Sequence, residues 1–333
     1  MADAAKGRRG VDVKGISYTV DDRPSELVSR DLRAIAADLH CTTVMLIGTD
    51  VPQQMRAARC ALEAGLDVYV RPSLQDRPRR ALLAHLAETA AGAEKLRLEH
   101  PGRVTLLVGS EFSLTSPGMI PGPRVFVRLQ VLVRPRLRRL FDRRITRKLN
   151  VLLAEAVAVA RRAFQGPVTY AAGAWERVDW SAFDVVGVNL YRQGDDFEGY
   201  RERLRALLRE NGKPVVITEF GCGAHLGAQR RGPASFLIVN WFADPPRVKD
   251  GHVRDERTQA GYLAGLIDLY TAEGVHGAFV FTFSMPDFPH HPDPRHDLDM
   301  AGFGVVRQAA DAPDWEPKEA FHEVARRYGR TNP

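Results

Sequence analysis

Residues 15–25 read GISYTVDDRPS, a short β-branched and aromatic run that ends in Asp, Arg, Pro and Ser. An open doubly wound sheet usually carries a glycine-rich turn after its first strand, where backbone and phosphate must come close. No GxGxxG and no phosphate loop follows Val20. The run therefore reads as the first strand of another parallel architecture, and the chain repeats its pattern. Further strands are expected at 43–48 (TVMLIG), 67–74 (DVYVRPSL), 104–111 (VTLLVGSE), 167–173 (PVTYAAG), 185–191 (VVGVNLY), 214–221 (PVVITEFG) and 276–283 (HGAFVFTF). Each is bounded by Gly, Pro or Asp, as strands are. Between them lie helical spacings. Ser25 is expected to cap ELVSRDLRAIAADL, in which Leu27, Leu32, Ile35, Ala36 and Leu39 line one face. Similar stretches occupy 53–64, 78–99, 145–164, 199–210, 257–273 and 316–328. Eight strands, each followed by a helix or a loop with helical content, define an α/β (β/α)₈ TIM barrel. No Ser/Gly linker or composition break divides residues 1–333, so one domain is expected.

With 333 residues, 44% hydrophobic and 26% charged, the chain has the composition of a folded protein with a sizeable core. No stretch reaches the roughly 20 apolar residues needed to cross a bilayer, so no integral membrane segment is expected. The start, MADAAKGRRGVDVKG, has charge but no apolar run behind it, unlike a secretory signal. Cys41, Cys60 and Cys222 are spaced for neither a disulfide framework nor a zinc cluster. Together these readings place the protein in the cytoplasm.

Net charge is +6, yet residues 124–148 (RVFVRLQVLVRPRLRRLFDRRITRK) hold ten basic residues and one acidic. That window alone is +9 and the remainder is −3, so no nucleic-acid surface spread over the fold is implied. The window belongs to an insertion near 115–148. Its Val125, Phe126, Leu129, Leu132 and Val133 lie near helical spacing and are expected to bury one face, with Pro135 breaking the helix. A covering helix, an anionic-substrate site, a membrane-surface contact and a homodimer interface are all compatible with this pattern.

In a barrel of this kind, chemistry gathers where strands end. The fourth strand ends at Glu111 and the seventh at Glu219. Alternation puts Leu107, Gly109 and Glu111 on one face, and likewise Val215, Ile217 and Glu219. A carboxylate at a barrel mouth is costly unless paired or working. Asn189 and Tyr191 share the inward parity of Val185 and Gly187, and Arg71 ends the third strand.

Glu on the fourth strand, with Glu in an ITEFG seventh strand, resembles the retaining glycoside hydrolases of clan A. A narrower similarity, in WERVDW (175–180), FDVVGVNLYR (183–192), PVVITEFGC (214–222) and DLDMAGFGVV (297–306), is to bacterial glycosidase-like barrels labelled abortive-infection proteins. The resemblance implies that Glu111 is the acid/base, Glu219 the nucleophile and Tyr191 its hydrogen-bond partner. Retaining cleavage needs one protonated and one ionised carboxyl about 5–5.5 Å apart. It implies no cofactor and no metal, and its substrate would be a small glycoside or glycoconjugate. One departure is Ser110, where most clan members carry Asn against the sugar 2-hydroxyl.

Substrate contact is further expected from Asn189, Arg71, Trp175, Glu176 and Phe283, with Trp180 in the core. Phe281, Phe283 and Phe288 stand where many clan members place Trp. The loop near 285–304 holds His290, His291, His296, Asp293, Asp297 and Asp299, but its spacing matches no metal-binding pattern, so a lid or substrate-binding loop is expected. Cys222 is expected to be a small buried residue. Two other functions fit the same residues: a glycosidase-like binding protein without turnover, and a barrel enzyme using the carboxylates for non-hydrolytic acid/base chemistry.

Overall fold

The eight expected strands are present as β1 (Val13–Thr19), β2 (Thr43–Gly48), β3 (Asp67–Pro72), β4 (Val104–Ser110), β5 (Val168–Gly173), β6 (Val186–Asn189), β7 (Val215–Phe220) and β8 (Gly277–Val280). The computed structural model describes residues 11–310 and 312–330; the charged start, 1–10, lies outside the described residues. The strands close a parallel barrel in the order β1-β8-β7-β6-β5-β4-β3-β2. Every residue of β2, β5 and β7 is buried, which explains why these strands read as unbroken apolar runs.

The helices are α1 (Ser25–Ala37), α2 (Val51–Glu63), α3 (Arg79–Glu99), α4 (Phe112–Thr115), α5 (Val125–Leu132), α6 (Pro135–Arg139), α7 (Asp142–Ala163), α8 (Phe197–Asn211), α9 (Ala228–Arg231), α10 (Glu256–Glu273) and α11 (Glu319–Tyr328). Ser25 is the first helical residue of α1 rather than its cap. Asp50 and Asp196 do cap, accepting from the backbone N–H groups of Gln53 and Gly199 at 2.6 and 2.7 Å. The β5–β6 connection forms turns without a helix.

By packing, the chain divides into two compact units. One contains the residues up to Tyr18, Glu26–Val44 and everything from Leu190; the other contains Thr19–Ser25 and Met45–Asn189. In the second unit α7 buries Ile145, Leu149, Leu152, Leu153 and Ala156, the i, i+4, i+7 spacing of one helix face. Each such leucine contributes about 1.5–3 kcal/mol when fully buried.

The basic insertion departs from expectation. Pro135 does interrupt it, starting α6 after α5 has ended. Of the α5 residues, however, only Leu132 and Arg128 are buried. Phe126 is 51% exposed and Val133 48%. Arg128 takes the inner position because carbonyls await it: it donates to Leu114 O (2.6 Å), Gly122 O (3.0 Å) and Thr115 O (3.2 Å), and pairs with Asp76. A buried guanidinium needs such partners on every side.

In the first unit, β7 and α10 are joined by an excursion, not anticipated from sequence, containing α9 and a ribbon of Val239–Asn240 with Arg247–Val248. After β8, a ribbon pairs Val306–Gln308 with Trp315–Pro317, so α11 begins later than residue 316. The His- and Asp-rich loop is tied inward at one end. Arg254 bonds Asp297 (2.8 Å), Asp299 (2.9 Å) and Glu256 (2.6 Å). The fully buried Lys318 bonds Asp299 at 3.1 Å, and His290 Nδ1 meets Asp297 at 2.9 Å. The tip, 291–295, is exposed, as are Pro286 and Asp287 at the loop's start.

Candidate active site

Strand β4 does not carry regular alternation to its end. Its register against β5 shifts between Leu107 and Ser110, and Gly109 adopts φ +153°. A Cβ there would lie 2.2 Å from the Phe112 ring, so the position is restricted to glycine. Glu111 follows in the left-handed region, φ 44° and ψ 50°, a conformation that costs a non-glycine residue about 1–2 kcal/mol. Such strain persists only where surroundings enforce it.

Those surroundings are hydrogen bonds. Glu111 N donates to Ala171 O (2.9 Å), and Thr115 Oγ1 donates to the carbonyls of Ser110 and Glu111. Phe112 N donates to Tyr170 Oη (2.6 Å), which donates to Glu176 Oε2 (2.9 Å). Glu176 also accepts from Ser113 N (2.9 Å) and Gly173 N (3.0 Å). Trp175 Nε1 donates to Ser113 Oγ at 2.9 Å, leaving its ring half-buried. Burial pushes the Glu176 carboxyl above its ordinary range and the Tyr170 phenol well above its own. Glu176 therefore holds the turn that presents Glu111. The Glu111 side chain receives one bond from β6: Asn189 Nδ2 donates to Oε1 at 3.0 Å and lies 3.4 Å from Ser110 Oγ. Arg71, half-buried at the end of β3, lines a cleft with His85, Ser110, Phe112 and Thr115.

In the other unit Glu219 sits inside β7, 8% exposed, where the register of β7 against β8 shifts between Ile217 and Phe220. Tyr191 Oη donates to its Oε2 at 2.9 Å, while Leu190 N donates to its backbone carbonyl at 3.0 Å. Tyr191 packs at 6.3 Å against Phe303, which meets Phe281 edge-on at 6.2 Å. The glycine of the ITEFG motif has a steric reason: a Cβ on Gly221 would come 2.4 Å from Phe281 O. Beside Tyr191, the Arg192 guanidinium lies 5.1 Å over the Tyr262 ring.

Phe283 is not a contact residue. It is fully buried, 5.9 Å from Tyr18 and 5.4 Å edge-on from Trp315. The half-buried aromatics of this segment are Phe281 and Phe288; β8 ends at Val280, so strand alternation no longer fixes direction beyond it. Trp180 is half-buried against Phe183, and Cys222 is fully buried, with burial pushing its thiol up. Sequence reasoning missed Tyr170 and Ser113. Tyr170 shares the parity of Val168 and Ala172, a usable signal; Ser113 carried none.

In sequence, no family model and no curated protein matches the chain. Solved structures do match in fold. A GH113 β-1,4-mannanase aligns with TM-score 0.63 at 16% identity, over 96% of this chain and 99% of that one. The GH113 β-mannanase from Alicyclobacillus acidocaldarius in complex with ManMIm aligns with TM-score 0.62 at 14% identity, over 96% and 97%. The Bacteroides uniformis β-glucuronidase 2, covalently bound to cyclophellitol-6-carboxylate aziridine, gives 0.59 at 17% identity over 94% of this chain and 34% of that one. These likenesses show the (β/α)₈ barrel fold.

Proposed function

We propose that this protein cleaves or transfers a glycosidic bond with retention of configuration. The observation that carries the reading is the pair of supported carboxylates at the ends of β4 and β7, each with a dedicated donor: Asn189 for Glu111, Tyr191 for Glu219. Glu219 attacks the anomeric carbon and forms a glycosyl ester as the bond to the leaving oxygen breaks. Glu111 gives that oxygen its proton. In the second half-reaction Glu111 takes a proton from water, or from an acceptor hydroxyl, whose oxygen displaces Glu219 from the anomeric carbon.

The donors fit these roles chemically. Tyr191, donating to Oε2, orients the Glu219 carboxylate for attack. Asn189, donating to Oε1, orients the Glu111 carboxyl for proton transfer. In place of the amide that usually precedes the acid/base, Ser110 stands within reach of the Asn189 amide from β6. Trp175 offers a ring face to a sugar, Arg71 and Asn189 offer donors, and Glu176 contributes by fixing Ser113 and the Glu111 turn. The substrate is a glycoside or glycoconjugate.

Leaving-group kinetics test the assignment. In Glu111→Ala, turnover of nitrophenyl glycosides with activated leaving groups should fall far less than that of alkyl glycosides, which need protonation. Equal losses on both series would remove Glu111 from the acid/base role.

A further inference from the structure

The 124–148 segment buries an arginine, Arg128, while five of its large apolar side chains are exposed. Phe126, Val127, Val133, Leu137 and Leu140 are 51%, 43%, 48%, 43% and 75% exposed. With Val151 on α7 they make six of the eleven large exposed hydrophobics among the described residues, so exposure here is concentrated rather than scattered. Interleaved with them, Arg124, Arg134, Arg136, Arg139, Arg143 and Arg144 are also exposed. The segment is held by its anchor rather than by an apolar face: Arg128 fastens α5 to the carbonyls of Leu114 and Thr115, directly after the Glu111 turn. Arg144 and Lys148 both donate to Gly118 O, at 3.0 and 2.8 Å, fixing the start of α7 to the same loop. Beside it runs a cleft of mixed character, lined by Arg79, Met119, Arg147, Lys148, Val151 and Leu152.

We propose that this face binds the surface of an anionic phospholipid bilayer. Exposed Phe, Leu and Val among many arginines is the composition of an interfacial element, whose apolar side chains enter the acyl boundary while the cations meet acidic headgroups. Among the described residues no helix is long and apolar enough to cross a membrane, so the contact is with the surface. A second copy of the chain is the poorer occupant, because two faces of +9 segments repel. Nucleic acid is poorer too: the exposed side chains between the arginines are mostly aliphatic and offer no stacking platform. The cleft gives one headgroup a cationic rim over an apolar floor.

The test is cosedimentation of the full chain with vesicles of phosphatidylcholine, with or without phosphatidylglycerol. Binding is expected only with the anionic lipid, and should weaken about tenfold as salt rises from about 0.1 to about 0.5 M. Phe126→Ser with Leu140→Ser, at exposed positions that leave the barrel intact, should weaken binding about tenfold. Arg138→Ser, Arg139→Ser, Arg143→Ser and Arg144→Ser together should weaken it at least about tenfold. Leu98→Ser, equally exposed but on α3, should leave it unchanged. Melting curves for every variant establish that the fold survives. Absence of binding to anionic vesicles overturns the proposal. So does full binding by the Phe126/Leu140 variant, which would mark a general anion surface, or a dimer lost in that variant without vesicle binding. The readout is independent of catalysis, so failure here leaves the roles of Glu111 and Glu219 untouched.

Discussion

Glu111 follows β4 and Glu219 lies within β7 of one barrel, and the two are held by different means. Glu219 lies inside a buried strand, where the register against β8 shifts between Ile217 and Phe220, and accepts from a phenol backed by an aromatic layer. Glu111 stands just past its strand, in a left-handed turn, behind a bulge, and is kept there by Tyr170, Thr115 and Glu176. The difference suits the two jobs proposed for them. A nucleophile gains from one rigid position within reach of carbon. An acid/base must serve two oxygens in two half-reactions, and a side chain on a supported turn is aimed by its surroundings rather than by the strand.

The sharpest way to separate the two supports is to remove one donor at a time. Tyr191→Phe should lower kcat/KM by about 100-fold, the value of a hydrogen bond to a charged group. Asn189→Ala should cost a similar factor, concentrated on substrates with poor leaving groups, whereas Tyr191→Phe should slow good and poor leaving groups alike. Identical leaving-group profiles in both variants would break the distinction. Tyr170→Phe reaches further back. It strips Phe112 N of its acceptor and Glu176 of a donor, and should destabilise the protein by about 1–3 kcal/mol in denaturant melts. The same variant should slow glycosyl transfer from poor leaving groups while leaving Glu219 competent to form an ester with activated ones.

Glycine substitutions compare the two backbones directly. Glu111→Gly removes a side chain from a conformation glycine prefers and should keep stability within about 0.5 kcal/mol of wild type. Glu219→Gly sits mid-strand and should lose at least about 1 kcal/mol. Equal losses would mean that the Glu111 turn is not strained. A smaller effect lies outside both supports, where hydrogen bonding to Arg97 holds the Glu94 carboxyl down to about 2, against its ordinary 4.5. A depressed carboxyl stabilises the fold above its unfolded pKa and loses that contribution as pH falls through the folded one. Glu94→Gln should therefore lower Tm by about 2 °C near neutrality, after allowance for solvent screening, and the gap should close between pH 4.5 and about 2.

Most of the barrel was legible in the sequence because parallel strands buried on both faces have an unmistakable composition, and PVVITEFG matches β7 almost residue for residue. The pairing of Tyr191 with Glu219 was legible only through the family resemblance, since Tyr191 lies beyond the end of β6 and β7 shifts register between Ile217 and Phe220. Legibility failed wherever the chain left regular geometry. Parity could not foresee the bulge at Gly109, nor that Phe281 rather than Phe283 stays near the surface after β8 has ended. It failed most fully at Arg128. Its partners are the carbonyls of Leu114, Thr115 and Gly122 and the carboxylate of Asp76, all supplied by other parts of the chain, and a helical stripe of Phe and Val gave no hint that arginine would face inward.

The central claim is covalent catalysis by Glu219, and trapping tests it most directly. The full chain is incubated with a panel of 2-deoxy-2-fluoroglycosides bearing activated leaving groups, followed by intact mass and peptide mapping. The account expects one fluoroglycosyl adduct per chain, carried by the peptide containing Glu219 and absent in Glu219→Gln. An adduct on any other residue, or turnover that releases the inverted anomer without a covalent intermediate, would contradict it.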